Sequence, residues 1–215
     1  MAEAHSVVAH QFDNSVQQQE AASLGMWAFL TTEVLFFGGM FLAYTVYRIA
    51  YTQIFAEASN HLDIALGTVN TAVLIGSSLT VVLAVHAAQQ NKPQLLFWML
   101  LLTVVLGVVF LGIKFTEYHH KYEEHLIPGL DFRYPGEQSR QAAIFFSLYF
   151  AMTGMHALHM IIGIGVFLVI AMQARRGRFS SVYHTPVEMA GLYWHFVDII
   201  WIFLFPLFYL LGRHV

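Results

Sequence analysis

The chain has 215 residues, of which 58% are hydrophobic and 11% charged, with a mean hydropathy of +0.60. So little charge cannot cover a water-facing surface, where about 25% is usual; a net charge of −3 leaves no basic patch for nucleic acid. With no cysteine, disulfides, thiolate metal sites, iron–sulfur clusters and cysteine nucleophiles are excluded.

Residues 1–23 hold Glu3, Asp13 and Glu20 and no Lys or Arg. A secretory signal needs a positive start followed by an apolar run. The segment therefore reads as a polar tail on one membrane face. Five apolar runs follow, at about 24–47, 64–88, 95–115, 142–172 and 189–211. Each is long enough for a hydrocarbon core of about 30 Å. Backbone groups in lipid must bond within their own segment, so the runs are predicted to be helices. Stretches such as LLFWMLLL and WIFLFPLF lack the alternation of a barrel strand. The fold class is all-α: a single bundle of five transmembrane helices over 24–215.

Local signals refine this pattern. Pro93 beside Asn91 and Lys92 predicts a tight link between the second and third helices. The longest loop is predicted from Glu117 to Arg140, with turns at Pro128-Gly129 and Pro135-Gly136. Pro206 should kink the last helix. Gly38, Gly39, Gly163 and Gly165 suit close helix approach. Trp27, Trp98, Trp194 and Trp201 suit interfacial belts and packing. The cluster Arg175, Arg176 and Arg178 places the fourth loop inside, and with it the N-terminus. The raw count of basic residues runs the other way, because Arg48, Lys114, Lys121, Arg133, Arg140 and Arg213 fall outside.

Ionisable residues inside a bilayer demand partners. Glu33 lies near the middle of the first helix, His156 and His159 in the fourth, His195 and Asp198 in the fifth. At about 1.5 Å per residue, alternating helices bring Glu33, His159 and Asp198 to one depth, with His195 roughly a turn away. His156 and His159, like His195 and Asp198, share a helix face. Such pairs can satisfy each other or reach across to Glu33. Three uses compete: structural bonding, proton exchange by Glu33, and haem ligation by His159 and His195. Lys114 and Glu117 are expected to close the third helix as a snorkelling pair at a membrane edge. His119, His120 and His125 are expected in a loop as solvated side chains, with metal binding the less favoured reading. Nothing resembles a catalytic centre belonging to this chain.

Four segments together resemble subunit III of cytochrome c oxidase and related haem-copper oxidases, in the short bacterial form. They are GMWAFLTTEVLFFGGMFLAY (Gly25–Tyr44), GIKFTEYHHKYEEHLIPG (Gly112–Gly129), FFSLYFAMTGMHALHMIIGIGVF (Phe145–Phe167) and YWHFVDIIWIFLFPLFYL (Tyr193–Leu210). The resemblance implies a non-catalytic subunit of the plasma membrane that packs on subunit I. Subunit II and other oxidase subunits would also be partners. Haem and copper would lie in those partners, and phospholipid would be bound. It implies support of proton uptake and sustained turnover, with the N-terminus inside and the C-terminus outside. It sets Glu33, His156, His159, His195 and Asp198 as an intramembrane polar cluster and makes haem ligation by this chain a poor reading. The family's longer form has seven helices, and this chain corresponds to the last five. A quinol oxidase subunit III and an accessory subunit of nitric oxide reductase are the alternatives within this relationship. An autonomous b-type cytochrome or a proton-coupled transporter is the alternative outside it.

Overall fold

A computed structural model describes residues 10–129, 131–135 and 138–211. Those residues form helices and connecting turns, without a strand. The helices are α1 (Ser15–Ala50), α2 (Thr52–Ser59), α3 (Ile64–Gln89), α4 (Pro93–Glu123), α5 (Ser139–Arg175) and α6 (Thr185–Phe205). A π-helical turn, Pro206–Leu210, extends α6. All but α2 are long and apolar enough to cross a membrane, α6 together with its π turn.

The ends follow local chemistry. Asn14 caps α1 by accepting from the Gln17 amide at 2.9 Å. The helix thus begins nine residues ahead of the apolar run, inside the stretch read as a polar tail, because a cap sets a helix start and hydropathy does not. Asp63 caps α3, accepting from Ala65 and Leu66 at 2.8 and 3.2 Å. Asn91 takes a left-handed φ of 55° and Pro93 occupies the first turn of α4, so three residues reverse the chain between α3 and α4. Gly177, at φ +69°, turns the chain after α5. The α4 helix continues to Glu123, so Glu117, His119 and His120 are helical and not in the loop where the sequence reading placed them. The short α2 had no apolar signal of its own. Of the two expected loop turns, Gly129 has a φ of 86°, and Gly136 lies outside the described residues.

Pro206 has no amide hydrogen, so it breaks the regular bonding of α6. Two side chains of α1, one turn apart, take up carbonyls there. Tyr44 Oη donates to Leu207 O at 2.8 Å, and Arg48 Nη2 donates to Leu211 O at 2.7 Å. Arg48 thus serves as a cap for the broken end of α6.

The α6 helix sits centrally, against α3, α5 and α1, while α3 and α4 form the most extensive pair. Trp194 is the hub. Its indole is fully buried, packs on Phe167 of α5, and donates to Ser77 Oγ of α3 at 3.0 Å. A Cβ added at Gly163 or Gly107 would stand 2.8 or 2.9 Å from that ring. Gly163 therefore permits the approach expected of it, and Gly107 and Gly67 do so unforeseen. A Cβ added at Gly38, Gly39 or Gly165 would meet nothing within 4 Å among the described residues, so these three permit no close helix approach there. Trp27 and Trp98 are 59% and 60% exposed, whereas Trp194 and Trp201 are fully buried, which divides belt from core.

Overpacking a filled core costs about 1–3 kcal/mol. Gly163→Ala is expected to lower thermal stability by that amount in a detergent melt. Gly38→Ala should stay within about 0.5 kcal/mol of the parent, as surface changes do.

Candidate functional site

The polar residues of the membrane interior separate into distinct groups. Glu33 of α1 and His159 of α5 meet, with Oε2 and Nε2 at 3.1 Å. His159 Nδ1 lies 2.8 Å from the Met155 carbonyl. A carbonyl only accepts, so Nδ1 carries a proton and donates. Nε2 and Glu33 then share one proton, either as neutral imidazole with carboxylic acid or as imidazolium with carboxylate. Tyr193 Oη donates to the His159 carbonyl at 2.9 Å, and Phe37 packs its ring against the imidazole at 5.4 Å. Both nitrogens of His159 are thereby committed within the bundle.

His195 turns to α3 instead, its Nδ1 2.8 Å from Ser78 Oγ. The structure therefore aims His159 at α1 and His195 at α3, and a haem between them finds no opposed pair of ligands. His156 is buried between Phe110 and Trp201, with neither ring nitrogen bonded among the described residues. Both carboxyl oxygens of Asp198 likewise lack a hydrogen-bond partner. Sharing a helix face did not bond His156 to His159 or His195 to Asp198. Of the five, only Glu33 and His159 join directly.

A second buried cluster was not anticipated. Lys114 and Glu117 do not snorkel: their side chains are 3% and 2% exposed. Lys114 Nζ donates to Glu117 Oε2 at 2.9 Å, to Tyr209 Oη at 2.9 Å and to Tyr149 Oη at 3.1 Å. Tyr209 Oη in turn donates to Glu117 Oε1 at 2.5 Å. The ammonium lies 4.9 Å from the Trp201 ring centre and 5.1 Å from that of Tyr149. Three acceptors and several π faces replace its water shell. The i,i+3 spacing signalled the ion pair, but nothing in the sequence signalled that Tyr149 of α5 and Tyr209 of the π turn would close over it.

At the end of the bundle where α3 begins, Lys121 bonds Glu124. His120 and Lys121 line a cavity of about 460 Å³ with Asp63 and Glu117. Nearby, His119 pairs with Glu123 at 3.6 Å and His125 with Asp131 at 3.7 Å. The Tyr134 phenol is raised above its ordinary value by burial and then by the Glu57 carboxylate. Among the described residues no group of three or more His, Asp or Glu is placed to hold a metal ion.

The sequence matches the family described as Cytochrome c oxidase subunit III over residues 3–213. It is 34% identical over 202 residues to the cytochrome c oxidase subunit 3 of Thermostichus vulcanus, covering 94% of this chain and 92% of that protein. The cytochrome bo(3) ubiquinol oxidase subunit 3 of Pseudomonas aeruginosa is 32% identical over 213 residues, 99% of this chain and 95% of its own. The cytochrome c oxidase subunit 3 of Loxodonta africana is 32% identical, and there the match spans 71% of the relative.

Removing one member of a buried ion pair costs about 3–5 kcal/mol, whereas replacing both with apolar groups is near neutral. Lys114→Met should therefore lower stability by that amount, and the double variant Lys114→Met/Glu117→Leu should recover most of it. Paired thermal melts of the three proteins check this.

Proposed function

The chain belongs to the cytochrome c oxidase subunit III family, and on that premise we propose that it packs on the large redox-bearing subunit I, binds phospholipid and supports proton uptake. It is subunit III of a haem-copper oxidase and a multi-pass protein of the plasma membrane. In this reading haem and copper lie in the partner subunits, with subunit II completing the neighbourhood. The N-terminus lies inside, with Arg175, Arg176 and Arg178 held at the same face.

One observation carries the accessory reading beyond the family match. Both ring nitrogens of His159, the best-placed haem ligand, are occupied by Glu33 and Met155. Glu33 and His159 are thus bound up in holding the bundle. The Glu33–His159 pair spans α1 and α5, and so adds a polar tie to a peripheral helix that packs on α6, α5 and α2. Phospholipid is supported by the outward apolar faces, such as Leu35, Leu42 and Ile49 of α1. Relatives of both cytochrome c and quinol oxidases match at similar identity, so the electron donor is decided by the partner subunits.

The test is purification of a tagged chain in mild detergent, with an optical spectrum of what accompanies it. A large haem-bearing subunit should come down with it, and the chain stripped of that subunit should be colourless. A chain isolated alone and carrying haem would overturn the proposal.

A further inference from the structure

The seam between α3 and α6 holds a line of polar groups that the preceding reading does not use. Its α6 members, Glu188, His195 and Asp198, are spaced by seven and three residues and so share one stripe of the helix. At one end Glu188 accepts from Gln89 of α3 at 3.1 Å and pairs with His184 at 3.1 Å. Below it a cavity of about 450 Å³ runs between the two helices, lined by His86, Gln89, Glu188 and His195 among apolar side chains. His195, on its lining, meets Ser78 Oγ through Nδ1 at 2.8 Å. Beyond Ser78 lies a second cavity, of about 260 Å³, lined by Ser78 and Asp198. Asp198 is 4% exposed, and neither of its oxygens makes a well-formed hydrogen bond among the described residues.

A buried carboxyl without a partner is costly, and a cavity beside it with a second polar group has room for a bridging water. The next rung ends the line. Trp201 Nε1 donates to Thr71 Oγ1 at 3.0 Å, and that hydroxyl donates to Gly67 O at 2.8 Å. Indole has no lone pair to accept a proton in the ring plane, so the line stops there.

We propose that the α3–α6 seam is a proton half-channel, open at the Glu188 end only, through which His195 and Ser78 load and unload Asp198. In the tautomer with its proton on Nδ1, His195 takes a proton at Nε2 from the cavity and gives its Nδ1 proton to Ser78 Oγ. Ser78 passes its own hydroxyl proton to a carboxylate oxygen of Asp198, directly or through one water. One proton has moved inward, Asp198 is neutral, and His195 is a neutral imidazole with its proton on Nε2; the reverse transfers, Asp198 to Ser78, Ser78 to Nδ1 and Nε2 to the cavity, unload Asp198 and restore the starting tautomer. The α3 side of the cavity presents Thr71, Leu74, Ile75, Ser78, Leu79 and Val82 and no charge. Across Trp201 stand His156 of α5 and Lys114 of α4, while Glu33 of α1 is engaged with His159. The inference rests on the membrane-embedded bundle and not on the choice of partner subunit.

The test uses the oxidase carrying this chain, reconstituted in liposomes. The Asp198 carboxylic-acid stretch is assigned in infrared difference spectra as the band lost in Asp198→Asn. Its hydrogen–deuterium exchange is then followed. Exchange should respond to a pH jump at the Glu188 face and not at the other. It should slow roughly tenfold or more in His195→Phe and in Ser78→Ala, as removal of a positioned proton carrier does, and be unaltered in Glu33→Gln. Ser78→Ala leaves the helix packing intact should His195→Phe fail to assemble. A band that never exchanges, that responds equally from both faces, or that exchanges at the parent rate in both relay variants overturns the proposal. Loss of subunit I from the complex bears on the accessory reading alone.

Discussion

Hydrocarbon offers no hydrogen bonds, so each polar group that this chain carries into the membrane must be satisfied by another part of the chain or by a confined cavity. The buried Lys114 ammonium shows how far that demand reaches. It needs three acceptors, and it finds them on its own helix, on α5 and on the π turn after α6. Closing that shell brings Tyr209 over Glu117, which requires the chain to turn after Pro206. The carbonyls exposed by that turn are in turn met by Tyr44 and Arg48 of α1. One buried cation thus helps set the position of four helices.

Packing and polarity then divide the work. Where helices approach most closely, Trp194 lies over Gly107 and Gly163, and dispersion with small residues does what the hydrophobic effect cannot do between helices in lipid. At the periphery, α1 has little packing and is held by the Glu33–His159 pair and by its two caps on the end of α6. The same shared proton that ties α1 to α5 occupies the histidine nitrogen that a haem would need. Holding α1 in place and occupying that nitrogen thus have one geometric source.

The sequence was informative where lipid imposes a length and silent where it erases contrast. Five apolar runs and their order were legible, because about 20 residues are needed to span the membrane. Equal depth brought Glu33 opposite His159. The inward and outward faces of each helix were not legible, because lipid is as apolar as the core. For that reason Lys114 and Glu117 read as a membrane-edge pair, although both are buried. Ser78 gave no sign that it would meet His195, since a lone serine on a helix usually bonds its own backbone. The start of α1 was set by the Asn14 cap rather than by hydropathy.

The central claim is that the redox chemistry of the assembly lies outside this chain, whose polar interior serves structure and proton contact. Its most direct test is the haem and copper content of the oxidase prepared with and without this subunit, per mole of the large subunit. Equal haem, equal copper and an unchanged optical spectrum are the results that the account requires. Loss of a haem signal in proportion to the missing chain would contradict it.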